Sequence, residues 1–87
     1  AYALYYRGMI YDTQKKYSLA INDYKKAISL NPDLMIANYL IGVDYDMLEQ
    51  YKNAISYYKA FTTTYSEDDE YAKYAKTRIS ELAPYVK

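Results

Sequence analysis

Spaced residues of this chain return after an interval of 34. Gly8, Tyr11, Tyr17, Ala20, Ile21, Tyr24 and Lys25 are matched by Gly42, Tyr45, Tyr51, Ala54, Ile55, Tyr58 and Lys59, and Ala3, Tyr5 and Asp12 by Ala37, Tyr39 and Asp46. A fixed period of this length marks stacked supersecondary units, each of which leaves an apolar face for its neighbour to cover. That requirement excludes most folds, because local structure and long-range packing must repeat together.

Within each unit the period is helical. Leu4, Gly8 and Tyr11 fall on one face of a helix from Tyr2 to Gln14, and Tyr17, Ala20, Ile21, Tyr24, Ala27 and Ile28 form the stripe of a second. Asn31-Pro32-Asp33 ends that helix, and Asn31 or Asp33 is expected to cap a third one running to about Leu48. Glu49-Gln50 then separates a fourth helix, Tyr51 to about Thr64, whose end is weakened by three consecutive threonines. Ser66 with Asp69 has capping-box spacing. The acidic run from Glu67 to Glu70 also suits a helix N-terminus, so a fifth helix is expected, with Tyr71, Ala72, Ala75, Ile79 and Leu82 as its stripe and Pro84 as its stop. Strand alternation and linker composition are absent, which predicts one all-α domain.

Composition narrows the chemistry. Eleven basic and eleven acidic residues cancel, so no net field would draw the chain to nucleic acid or an anionic membrane. The fifteen tyrosines lack the basic groove that base-stacking proteins pair with their aromatics; Lys15-Lys16 and Lys25-Lys26 read as a turn and a solvated helix face. No cysteine and no histidine are present, which removes disulfides, thiolate chemistry and imidazole catalysis. No cofactor is implied. Asp44 and Asp46 stand two apart on a helix and do not share a face, and no phosphate-binding glycine loop occurs, so an enzyme is not expected. No apolar run has the length of a membrane span, so a soluble chain is expected, with the cytoplasm and the cell envelope both open. The start at Ala1, already in helical pattern, predicts a piece of a longer protein.

Leu4, Gly8, Tyr11, Ala20, Tyr24, Ala27 and Pro32, with Ile41, Gly42, Tyr45, Ala54 and Tyr58 in the second copy, resemble the signature of the tetratricopeptide repeat (TPR) family. The resemblance implies a right-handed α-solenoid of antiparallel helix pairs with five helices: repeat 1 over 1–34, repeat 2 over 35–68, and a capping helix over 69–87. Arg7, Asn38, Phe61 and Ser66 depart from the pattern, and Phe61 would push its helix from a close neighbour unless the adjoining turn is remodelled.

In that family the first helix of each pair lines a concave surface that binds peptides or helices. Carried over by position, the partner-binding residues are Tyr2, Tyr5, Met9, Asp12 and Thr13, then Ile36, Tyr39, Val43, Asp46 and Met47, with Lys73 and Thr77 extending the face. Tyr5 and Met9 stand where the chaperone-tail clamps of the family carry lysine and asparagine, which argues for an apolar peptide or partner helix instead. Met9, Val43, Ile36 and Met47 also fit an ordinary interhelical core, whereas Tyr5 and Tyr39 lie off the packing signature. The alternative is a structural spacer or self-associating scaffold, joined end to end, with no dedicated ligand.

Overall fold

A computed structural model describes residues 2–64 and 69–86. Among the described residues are five α-helices, α1 (Tyr2–Thr13), α2 (Tyr17–Leu30), α3 (Ile36–Met47), α4 (Tyr51–Thr64) and α5 (Glu70–Leu82), followed by a 3-10 turn over Ala83–Tyr85. Each helix packs on the next in chain order, giving a TPR-like stack of antiparallel pairs in which α3 covers the first pair and α5 the second.

The repeating glycines and tyrosines set the spacing within each pair. A Cβ on Gly8 would lie 2.6 Å from Cε1 of Tyr24, and one on Gly42 would lie 2.8 Å from Cδ1 of Tyr58. Both tyrosines are fully buried, so the absent methyl is the space their rings occupy. The turns inside the pairs also repeat. Lys15 and Glu49 take φ of 60° and 61°, and their N–H groups donate to the carbonyls of Asp12 and Asp46. Lys16 and Gln50 then close the longer bonds to Tyr11 and Tyr45, satisfying carbonyls that the helix ends leave free.

The start of α3 differs from expectation. Asn31 spends its side-chain oxygen on the Asp33 N–H (3.2 Å) and its carbonyl on Leu34, so the cap chemistry is consumed in the turn. The helix opens after Met35 instead, with no side-chain cap. At α5, Asp69 is the N-cap and accepts from the N–H groups of Tyr71 (2.7 Å) and Ala72 (3.3 Å). Ser66, Glu67 and Asp68 lie outside the described residues.

Two cores result. One contains Ala20, Ile21, Tyr24, Ala27, Leu34, Ala37 and Ile41, the other Ala54, Tyr58, Phe61, Ala72, Ala75 and Leu82; Ile36 and Tyr45 pack against both. Phe61 is fully buried, and the small Ala72 and Ala75 share its core. Tyr71, expected on the buried stripe of α5, is instead half exposed.

Candidate tyrosine-lined interaction face

Tyr5 on α1 and Tyr39 on α3 repeat in structure as in sequence. Tyr5 stacks at a tilt on Tyr24 with centroids 5.9 Å apart, and Tyr39 on Tyr58 at 6.2 Å. Each is half-buried, leaning on the buried signature ring of its own unit and leaving the rest of its surface to solvent. From Tyr39 the aromatic contact continues to Phe61 (5.3 Å), Tyr71 (5.1 Å) and Tyr74 (6.1 Å). At the other end Tyr6 meets Tyr5 edge-on at 5.4 Å. Burial, helped by Tyr6 and Tyr71, raises the Tyr5 pKa; burial, helped by Tyr74 and Tyr71, raises that of Tyr39. Both hydroxyls therefore stay protonated at neutral pH and available as donors.

The other residues carried over by position differ in exposure and in partners. Tyr2, Met9, Met47 and Lys73 are exposed. Ile36 and Val43 are half-buried and pack on the cores, as an interhelical stripe would. Asp12 and Asp46 already have partners within the chain. Asp12 accepts the Tyr24 hydroxyl. Asp46 accepts the Tyr58 hydroxyl at 3.1 Å and takes Arg78 as a bidentate guanidinium, Nε to Oδ2 at 2.8 Å and Nη2 to Oδ1 at 2.7 Å. Thr13 turns its hydroxyl back to the Ile10 carbonyl. Tyr2, Met9, Met47 and Lys73 are thus open to solvent beside the half-buried Tyr5 and Tyr39, while the two aspartates are engaged within the scaffold.

Sequence reasoning missed several polar anchors. Arg7, a departure from the family pattern, holds the buried Asp23 through two bonds, Nε to Oδ2 at 2.7 Å and Nη2 to Oδ1 at 2.8 Å. The hydrogen bonds from Arg7 keep the Asp23 carboxyl below the usual carboxylate range despite burial. Lys25 is more than a solvated cation: its Nζ donates to the Tyr45 hydroxyl at 2.7 Å and sits over the rings of Tyr45 and Tyr57. Asp44 is buried in the joint between α1 and α3, with its carboxyl beside that of Asp12. The signal for Asp44 and Arg78 was present, since they are themselves one period of 34 apart.

Among the described residues no three His, Cys, Asp or Glu side chains gather to hold a metal ion, and no helix is long and apolar enough to cross a membrane. The face is open, and no enclosed pocket is found among the described residues.

Comparison with known families finds the model described as Tetratricopeptide repeat over residues 1–34, which spans α1, α2 and the turn that follows. No curated protein and no solved structure gives a significant match. The match agrees with the antiparallel geometry of the first helix pair.

Proposed function

We propose that this chain is a non-catalytic, TPR-like interaction module that holds an apolar peptide or partner helix against the tyrosine-lined face. The observation that carries the reading is the set of aromatic contacts from Tyr6 to Tyr5, and from Tyr39 to Tyr71 and Tyr74, which presents large rings on α1, α3 and α5. Such rings offer much contact area at small entropic cost and a hydroxyl at the edge, the chemistry enriched at protein interfaces. Tyr2, Met9 and Met47 widen the apolar surface, with Ile36 and Val43 behind it and Lys73 at its far side.

Replacing both Tyr5 and Tyr39 by alanine is expected to weaken partner binding by more than ~1 kcal/mol with helicity retained. Calorimetric titration of a partner captured by the chain reads this directly, and unchanged affinity would refute the site.

A second reading has its own support. Tyr6 and Ile10 on α1 are exposed at 59% and 55%, at the places where α3 carries the half-buried Leu40 and the buried Asp44. This face would suit end-to-end association in a spacer or scaffold. Sedimentation at rising concentration separates the readings, because a persistent monomer counts against self-association.

A further inference from the structure

The two joints of the stack place equivalent residues together and fill them differently. In the second, Asp46 of α3 meets Arg78 of α5, 32 residues away. In the first, Asp12 of α1 meets the residue at the same interval, 44 − 12 = 32, and that residue is Asp44. Asp44 is 1% exposed, and its Oδ2, like Oδ1 of Asp12, is buried with no hydrogen-bond donor.

Two ionised carboxylates cannot occupy such a place cheaply: one buried oxygen of each lacks a donor, the charges repel, and among the described residues no cation is seen between them. The named cations are engaged elsewhere. Arg7 is on Asp23, Lys25 lies with Tyr45 and Tyr57, and Arg78 lies on Asp46 and Glu81. The titratable groups facing the pair are Tyr24 from α2, whose hydroxyl is given to the other oxygen of Asp12, and Asp12 itself from α1. From α4 and α5, Tyr58 and Arg78 turn to Asp46.

We infer that a single proton shared by Asp12 and Asp44 closes the first joint, doing there what the Arg78 guanidinium does in the second, and makes that joint tighten toward acid. One hydrogen on the Asp44 carboxyl satisfies both orphaned oxygens and removes the repulsion. Burial, then the hydrogen bond to Asp12, raise the Asp44 carboxyl far above the usual range, in agreement with this geometry.

The sign follows from linkage. An unfolded Asp44 gives up its proton near pH 4, while the folded one keeps it, so the contribution is complete below that pH and is lost as pH rises toward the folded value. Asp44→Asn supplies a permanent N–H donor to Asp12 and has no proton to lose. The ratio of unfolding constants, native chain over Asp44→Asn, is expected to rise toward tenfold per pH unit between pH 5 and 8 in urea titrations. Infrared spectra of the unaltered chain with carbonyl-labelled aspartate should show a protonated carboxyl at pH 7. A flat ratio, or no protonated aspartate band at neutral pH, overturns the inference. Should Asp44→Asn fail to fold, the infrared measurement on the native chain decides alone.

Discussion

The joint between the first helix pair and α3 and the joint between the second pair and α5 share a backbone plan and differ in what fills them. Both set a glycine against a buried tyrosine whose hydroxyl is given to an aspartate. The first then closes on a second carboxyl, Asp44, and on Ala27; the second closes on Arg78 and on Phe61, the counterparts one period later. The difference teaches that the repeat signature secures the pairing of helices within a unit. What fills positions 27 and 44, or 61 and 78 one period later, decides how strongly one unit holds the next.

The most disruptive way to test that asymmetry is volume. Phe61→Ala should cost about 3–5 kcal/mol, because a fully buried ring is removed from a core whose α5 side is already alanine. The resulting side chain equals that of Ala27, so a loss below ~1 kcal/mol in urea unfolding would show that the two joints repack interchangeably.

Charge gives the next largest contrast. Arg78→Met should cost about 1–3 kcal/mol, since Asp46 loses two charge-assisted bonds and keeps only the Tyr58 hydroxyl. Part of that contribution is screened by salt, because Arg78 is partly exposed. The native chain should therefore lose stability with added sodium chloride, and the Arg78→Met chain should lose less. Parallel salt dependence would break the comparison.

The tyrosine hydroxyls sharpen it further. Tyr24→Phe leaves Asp12 with only the single proton on Asp44, whereas Tyr58→Phe leaves Asp46 with both charged bonds to Arg78. Tyr24→Phe is expected to cost about 1–2 kcal/mol and Tyr58→Phe about 0.5–1 kcal/mol. Equal losses by thermal or urea unfolding would mean that the one proton on Asp44 supports Asp12 as well as the Arg78 guanidinium supports Asp46.

The smallest effect should be common to both units. Lys15 and Glu49 occupy the left-handed region that favours glycine, so Lys15→Gly and Glu49→Gly are each expected to shift stability by no more than about +0.5 kcal/mol, the relief of local strain being offset by unfolded-chain entropy. Opposite signs at the two sites would show that the turns are not equivalent.

Much of the fold was legible because its determinants are local or strictly periodic. The three-four spacing located the helices, whereas the fit of the Tyr24 ring at Gly8 and of the Tyr58 ring at Gly42 is seen only once the helices pack. What escaped was chemistry between helices. Asp44 looks like a surface residue on its own helix, and only α1 and α2, packed over it, turn it into a buried acid. Asp12 and Asp46 likewise read as free groove charges until Tyr24, Tyr58 and Arg78 are brought to them. The role of Tyr39 was anticipated as surface, yet its contacts with Tyr71 and Tyr74 depend on where α5 docks, which no spacing within α3 specifies. Arg7 stood out as a departure, but its partner Asp23 lies on the neighbouring helix and has no periodic mark.

The equivalence of positions 44 and 78 bears on the order of the helices. Were α5 to follow the first pair directly, Arg78 would arrive at Asp12 as an ion pair. Were α3 to follow the second, Asp44 would meet Asp46, two acids again. The joint chemistry therefore prefers arginine after either pair and does not itself spell out the natural succession. The connecting peptide does, by presenting α3 first. Position 44 is accordingly where a shuffled or lengthened version of this array would be most easily strengthened, and where its addressing is weakest.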